Sequence, residues 1–215
     1  MSSLELGRHL GVSQNTAWAI RHKLMQAMLE RDSGRRLDGL IQLDDAYVGG
    51  RRRGGKRGRG SPNKTPMVAA VATQAGRPTQ LKLSRIKSFH SQEVERWSRH
   101  HVSAEAEVLS DGLACWSGVR EAGRRHRVLL TGSGPEAVEH EQFRWVNTVL
   151  GNLKAALRSS YHGVAAKHVP RYLAEFQYRF NRRHELKRLP LRLLQAAVDT
   201  PPMPCRLLSV AEAYW

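Results

Sequence analysis

Cysteine is scarce in this sequence: the 215 residues include two, Cys115 and Cys205, far apart along the chain. Two scattered thiols cannot form a zinc site on their own, and they are typical of a reducing compartment such as the cytoplasm. The ten histidines include no HExxH pair. The sequence therefore gives no reason to expect bound zinc or a disulfide framework.

Long apolar runs are missing as well. No stretch approaches the ~20 apolar residues of a membrane-spanning helix, and the first residues, MSSLELGRHL, lack a signal-peptide pattern. Acidic side chains are few, because 19 Asp and Glu stand against 35 Lys and Arg, which gives a formal charge of +16. This balance predicts nucleic acid as the partner and argues against a membrane.

The first 31 residues predict two short helices joined by a turn. Gly11 breaks the helical pattern, and Ser13 is a good N-cap for a second helix from Gln14 to about Glu30. A polar helix start after a glycine-containing turn is typical of a DNA-reading helix-turn-helix, and an ordinary helical hairpin is the alternative. In the DNA-reading case, Gln14, Asn15 and Thr16 face base edges, and the backbone contacts are Arg21, His22 and Lys23.

Residues 32–39 form a polar linker, after which strand and helix patterns follow one another. The predicted strands are Leu40–Val48, Met67–Thr73, Leu81–Ile86, Glu107–Asp111 and Val128–Leu130, and the predicted helices are Ser91–His101, Cys115–Ala122, 141–159 and about 167–184. Strands in sequence followed by β–α alternation indicate an α/β fold, a mixed sheet flanked by helices. We assign residues 40–190 to this domain and 191–215 to a C-terminal tail.

A basic, glycine-rich stretch, GGRRRGGKRGRGSPNK, follows the first strand and contains no core-forming residue. Its cations are Arg51, Arg52, Arg53, Lys56, Arg57 and Arg59. Glycine interleaved with arginine beside an acidic strand favours a flexible loop that binds the phosphate backbone of nucleic acid, and a merely solvated run of charge is the alternative.

Two aspartates stand where apolar strands are predicted, Asp44 in LIQLDD and Asp111 after EVLS. Carboxylates there are costly unless they bind something positive. In a chain this basic, the expected partner is a divalent cation at a nucleic-acid phosphate, because Mg²⁺ prefers oxygen ligands and two such ions can activate phosphoryl transfer. These residues therefore predict a magnesium site.

A third ligand is expected from the long helix that follows. Asn147, Gly151, Lys154 and Arg158 fall on one helical face, so the asparagine oxygen can look toward the cations while the two basic side chains extend toward phosphates. A glycine within a helix costs about 1 kcal/mol relative to alanine, and its small size would let DNA or a strand approach. The alternative is ordinary amphipathic packing with a tolerated asparagine.

The chain resembles bacterial insertion-sequence transposases of the DDE class, which have a ribonuclease-H-like core, and in particular the branch in which Asn, with Lys seven residues later, replaces the usual glutamate. The resemblance lies in QLDDAYVGGRR around Asp44, LSDGLACW around Asp111, VNTVLGNLKAALRSSYHGV around Asn147 and Lys154, and RYLAEFQYRFNRR, residues 171–183. The resemblance covers nearly the whole chain, and the four ordered blocks make it specific.

The resemblance implies that the chain cuts transposon ends and joins the freed 3′-hydroxyls to target DNA. It implies that Asp44, Asp111 and Asn147 hold two Mg²⁺ ions, with Mn²⁺ as a substitute, and that Lys154 contacts DNA or the transition state. Asn152 is the alternative third ligand, and Asp45 stands where many relatives have glutamate. The remaining expected DNA contacts are Arg158, Arg179, Arg182 and Arg183.

The expected partners are double-stranded transposon-end and target DNA and further copies of the chain, as a homodimer or a higher assembly, in the nucleoid of a bacterial cytoplasm. Members of the family commonly carry a zinc ribbon before the helix-turn-helix. This sequence lacks the cysteines for one, so we expect an N-terminally shortened copy or a mis-assigned start. Two alternatives stay open: an inactive remnant that only binds DNA, and a nuclease that cuts without joining. Trp116 and Trp145 each lie close to an expected ligand. Trp116 is expected to pack, and insertion of either ring into DNA is the alternative.

Overall fold

The computed structural model describes residues 1–49, 64–130, 140–161 and 164–210, and within them a mixed five-stranded sheet is flanked by helices. The strands are β1 Leu40–Val48, β2 Thr65–Gln74, β3 Arg77–Arg85, β4 Glu107–Ser110 and β5 Arg125–Val128. The helices are α1 Ser3–Leu10, α2 Gln14–Ser33, α3 Ser91–His101, α4 Ser117–Glu121, α5 Arg144–Ser160, α6 Val169–Asn181, α7 Leu189–Asp199 and α8 Cys205–Val210.

The strand order across the sheet is β3-β2-β1-β4-β5. β1, β2 and β3 are antiparallel neighbours, whereas β4 runs parallel to β1 and β5 runs parallel to β4. The ribonuclease-H-like mixed sheet expected from the sequence is thereby confirmed. None of the helices in the described ranges is long and apolar enough to cross a membrane.

Both faces of the sheet are covered. On one face β1 contributes Ile41 and Leu43 to a core shared with α3 and α4, and on the other face Ala46 and Val48 pack with α5 and α6. β2 lies inside the sheet and is buried from Met67 to Thr73. Its sequence, MVAAVAT, is therefore a continuous apolar run rather than an alternating one, since neither side of the strand meets water.

The last strand was predicted at Val128–Leu130, but β5 is Arg125–Val128. The prediction followed the apolar residues, whereas β5 is an edge strand whose side chains are mostly exposed. Val128 and Leu130 are themselves exposed. The exposed side chains of an edge strand can be polar, and charged residues there discourage pairing with another chain, so the sequence of β5 carries no apolar pattern to recognise.

The opposite edge of the sheet is closed by α6. The side-chain oxygen of Gln177 accepts from the Leu83 amide at 2.9 Å, and Asn181 both accepts from the Leu81 amide at 2.7 Å and donates to the Leu81 carbonyl at 3.0 Å. These bonds occupy backbone groups that an edge strand would otherwise leave open to another chain. Part of the FQYRFNRR block is thus required by the fold.

The two N-terminal helices also pack against the rest of the molecule. Gly11 caps the end of α1 with a left-handed φ of 66°. α2 begins after the predicted N-cap, Ser13, whose Oγ accepts from the Thr16 amide at 3.1 Å. Further along α2, Met28 packs with Ala174 and Tyr178 of α6. The segment assigned to DNA reading is therefore in contact with the helices that cover the sheet.

Candidate active site

Three carboxylates meet where β1 and β4 run side by side. The parallel register pairs Leu43 with Ser110, so the residues that follow them, Asp44 and Asp111, are neighbours across the two strands. Asp45 joins them, and one carboxylate oxygen from each of the three lies within 4.8 Å of the others. The structure brings together the two aspartates that the sequence predicted and adds Asp45, which the sequence left without a role.

The electrostatics of this cluster favour a bound cation. Burial, together with the charges of Asp45 and Asp111, raises the pKa of Asp44 to about 6, although the Asp45 amide and the Lys154 ammonium act in the opposite direction. Concentrated, partly buried negative charge is stabilised by a positive partner. The donors in the cluster are all carboxylate oxygens, which suits a hard divalent cation such as Mg²⁺ or Mn²⁺.

The carboxylate of Asp111 is held from one side by the chain that follows it. Its Oδ1 accepts from the Trp116 indole N–H at 2.7 Å and from the Leu113 amide at 3.2 Å. Trp116 was expected to pack, and it is buried, but its polar group also binds a predicted metal ligand. The signal was present in the sequence, since a tryptophan five residues after a strand-end aspartate can fold back onto it.

α5 places Asn147 next to the sheet. Asn147 is half-buried and lies beside Val146, whose side chain packs in the core together with those of Val149, Leu150 and Leu153. Gly151, Lys154 and Arg158 are exposed on the helix, and a side chain added at Gly151 would meet nothing within 4 Å. Asn152 is exposed. The half-buried position of Asn147 favours it over Asn152 as the third ligand, which remains a prediction.

The start of α5 is fixed by a residue that the sequence analysis did not single out. Gln42 is buried on β1, and its Oε1 accepts from the backbone amides of Trp145 and Val146, at 3.0 Å each. Side chains two apart on a strand share a face, so Asp44 points to the same side of the sheet as Gln42, toward α5. One strand therefore carries a carboxylate of the cluster and the cap of the helix that bears Asn147. A polar residue between Ile41 and Leu43 was the available signal.

Replacing Gln42 by leucine should destabilise the protein by about 1 to 3 kcal/mol, because it leaves two amides at the start of α5 without their acceptor. Gln42→Glu keeps an acceptor at the same place, and a helix N-terminus favours negative charge there. This variant should therefore lose less stability than the leucine variant. Thermal unfolding of the two variants beside the wild type measures the difference. A leucine variant as stable as the wild type would contradict this role for Gln42.

The predicted DNA contacts fall into three groups. The first group is exposed, so its side chains are accessible to DNA: Gln14, Asn15, Thr16, Lys23, Arg158 and Arg179. The basic loop, with Arg51, Arg52, Arg53, Lys56, Arg57 and Arg59, lies outside the described residues. The third group, Arg21, Arg182 and Arg183, makes contacts inside the protein.

For this third group the structure corrects the expectation. Arg21 is buried and donates to Glu175 at 2.7 Å and to the Tyr161 hydroxyl, and His22 beside it is buried too. Arg182 is buried and forms a two-pronged ion pair with Asp32, with N···O distances of 2.8 and 3.1 Å. These guanidinium groups are paired within the fold, so they are not available to DNA.

Arg183 is half-buried and donates to backbone carbonyls at the start of β3, those of Pro78 and Thr79, and to the Phe180 carbonyl at 2.9 Å. It extends the closure of the β3 edge by α6. The Trp145 indole likewise donates to the Gly76 carbonyl at 2.8 Å, in the turn between β2 and β3, so the structure gives this ring a place within the fold.

Residues 36–181 match the family model described as the ISXO2-like transposase domain, a DDE transposase family. The match covers most of the chain and includes every carboxylate of the cluster, Asn147 and Lys154. The chain therefore belongs to this family of transposases.

Among solved structures the chain is similar to those of Mos1. The strand transfer complex is 13% identical with a TM-score of 0.39, and the chain is covered over 100% of its length and that protein over 75%. The pre-cleavage transpososome is 12% identical with a TM-score of 0.38, with coverage of 100% and 76%. No curated protein matches the chain.

Proposed function

We propose that this chain is the transposase of a bacterial insertion sequence, which cuts transposon ends and joins their 3′-hydroxyls to target DNA in the presence of Mg²⁺, with Mn²⁺ as a substitute. The observation that carries the proposal is the convergence of Asp44, Asp45 and Asp111 at adjacent strands of the sheet, in a chain that belongs to a DDE transposase family.

In this proposal, Asp44 and Asp111 hold the cations with their carboxylates, and Asn147 contributes its neutral side-chain oxygen. Two bound cations would activate the attacking oxygen and stabilise the leaving oxygen of the phosphoryl transfer. Lys154 is exposed on the same helix and acts on Asp44 electrostatically, which supports a position where its ammonium can meet a DNA phosphate. An asparagine brings no charge, so the two or three aspartates provide the negative charge that binds the metal.

Double-stranded DNA, as transposon ends and as target, is the proposed partner. The net charge of +16 supports it, as do the exposed polar side chains at the start of α2 and the exposed Arg158 and Arg179. We propose that Gln14, Asn15 and Thr16 read the transposon end and that the basic loop binds phosphates. Two active sites, one for each transposon end, would allow both ends to be joined at one target, so a dimer or higher assembly on the bacterial nucleoid is part of the proposal.

The test is a cleavage and strand-transfer assay with Mg²⁺ and linear transposon ends, in which both the nicked and the joined products are measured. The wild type is expected to give both. Asp111→Ala should bind the same DNA and give neither product, whereas Asp199→Ala, at an exposed position on α7, should behave as the wild type.

The products that the wild type forms in the same assay distinguish a transposase from the two alternatives. Binding without any nick would contradict the proposal and favour an inactive, DNA-binding remnant. Nicks without joined product, and without dependence on end sequence, would favour a nuclease. Joining by Asp111→Ala at the wild-type rate would show that the site is assigned to the wrong residues.

A further inference from the structure

The two carboxylate oxygens of Asp111 differ in their hydrogen bonds. Oδ1 accepts from the indole N–H of Trp116 at 2.7 Å and from the backbone amide of Leu113 at 3.2 Å. A carboxylate oxygen has two lone-pair sites, and these two donors use both of them. The oxygen that remains for an ion is Oδ2, since Oδ1 already has its two partners among the described residues.

Trp116 is held firmly enough to fix the carboxylate. It is 1% exposed, and its backbone amide donates to the Leu113 carbonyl at 3.0 Å, which closes the turn between Asp111 and α4. Its ring packs edge-on against Phe89, with centroids 6.3 Å apart, and belongs to the core that β1 shares with α3. An indole packed in this way cannot follow a carboxylate that turns, so the bond restrains Asp111 and not the reverse.

A second tryptophan of the same core shows what packing alone requires. Trp97 on α3 is 0% exposed and belongs to the same cluster as Trp116, yet its indole N–H has no hydrogen-bond partner among the described residues. The core therefore accepts a buried indole for its volume. The directed N–H···O contact at Trp116 is an additional feature, and it ends on a residue of the carboxylate cluster.

We propose that Trp116 is a positioning residue of the metal centre: its indole N–H holds Asp111 so that the carboxylate binds a divalent cation through one oxygen, Oδ2. This inference rests on the proposed function, because it takes Asp111 to be a metal ligand. Removal of a group that orients a metal ligand in this way typically lowers metal affinity by about 10- to 100-fold.

The experiment compares Trp116→Phe with Trp97→Phe. Both variants lose one indole from the same core, but the first also removes the donor to Asp111. Binding of Mn²⁺ to the full chain is measured by electron paramagnetic resonance, in which the signal of the free ion falls as it binds, without any need for catalytic activity. We expect Trp116→Phe to weaken Mn²⁺ binding about 10- to 100-fold and Trp97→Phe to leave it within about twofold of the wild type.

A second pair of variants separates the N–H from the ring volume. Benzothienylalanine has sulfur in place of the indole N–H at nearly the same shape, and it can be placed at position 116 or 97 should the phenylalanine variants fold poorly. Weaker Mn²⁺ binding with the analogue at 116 and unchanged binding with it at 97 is the expected result. DNA joining by the 116 variant should recover toward the wild-type rate as Mn²⁺ is raised, which a general loss of folding would not allow.

Equal Mn²⁺ affinities for the two tryptophan variants would overturn the role of Trp116 while leaving the proposed function intact. A wild-type chain that binds no Mn²⁺ at this cluster would instead overturn the metal centre itself, and with it both proposals. The two failures are therefore distinguishable in one titration series.

Discussion

Asp44→Asn is expected to abolish DNA joining and at the same time to stabilise the metal-free protein. The loss of a cation ligand removes several kcal/mol of transition-state stabilisation, and each ~1.4 kcal/mol is a factor of ten, so the rate should fall about 1000-fold or more. The gain in stability follows from burial and from the neighbouring carboxylates, which together raise the pKa of Asp44 to about 6 and make its ionised form costly. A raised pKa of this size corresponds to a cost on the order of 2 kcal/mol at neutral pH.

The pH dependence of this gain has a definite sign. The pKa of Asp44 in the folded protein lies above its ordinary value, so the wild type is stabilised by the proton at low pH and loses that contribution as the pH rises through about 6. The advantage of Asp44→Asn should therefore be small near pH 4 and reach its full size above pH 6. Without metal at neutral pH, the unfolding temperature of Asp44→Asn should be about 5 °C higher than that of the wild type.

Asp38→Asn is the matched control for the stability effect. The Ser103 hydroxyl, which donates to Asp38 at 2.6 Å, and the Gly39 amide lower the pKa of this exposed aspartate, so its charge is not a cost to the fold. Neutralising it should bring no gain. Addition of Mg²⁺ should raise the unfolding temperature of the wild type and of Asp38→Asn, but not that of Asp44→Asn. A metal-free Asp44→Asn protein less stable than the wild type would contradict the account of the cluster.

Arg182→Ala is expected to cost about 3 to 5 kcal/mol, because it leaves a buried carboxylate without its two-pronged partner. The side chains of Arg182 and Asp32 are 5% and 2% exposed, and the guanidinium also stacks over the Tyr178 ring at 3.4 Å. Arg35, at 3.5 Å from the same carboxylate, is much more exposed and compensates only in part. The unfolding temperature of Arg182→Ala should be about 10 °C or more below that of the wild type.

Arg179→Ala provides the control, since Arg179 lies three residues earlier, in the last turn of α6, and is exposed. Its stability should stay within about 0.5 kcal/mol of the wild type, while its affinity for DNA should fall and depend less steeply on salt. The two arginines would then separate a fold-stabilising role from a DNA-binding one. An Arg182→Ala protein with unchanged stability and weakened DNA binding would contradict the corrected assignment.

The sequence predicted the parts of the fold that depend on local pattern. β1 and α3 have the predicted bounds, and β4 ends one residue before the predicted strand. The apolar runs and the helical periodicity are properties of neighbouring residues, so they can be read without the structure. The pairing of Asp44 with Asp111 was predicted for a different reason: carboxylates in apolar strands are costly unless they share a cation, and the family resemblance pointed to the same two residues.

Contacts between distant segments could not be predicted in this way. Arg21 meets Glu175 across 154 residues and Arg182 meets Asp32 across 150, and an arginine on a helix carries no local sign of its partner. Charge alone therefore suggested DNA for side chains that the fold uses itself. Gln42 and Trp116 are intermediate cases. Trp116 was noted as close to a ligand, and Gln42 was not singled out although it is polar within an apolar strand. Their hydrogen bonds depend on the turn after β4 and on how β1 meets α5.

A crystal structure of the chain with transposon-end DNA and Mn²⁺ would show directly whether Asp44 and Asp111 bind divalent cations next to Asn147. Anomalous scattering locates manganese independently of the protein density. We expect manganese bonded to one oxygen of Asp44 and to Oδ2 of Asp111, with the Asn147 side-chain oxygen facing the same ions. Manganese bound elsewhere, with these side chains free of it, would show that the metal centre is assigned to the wrong residues.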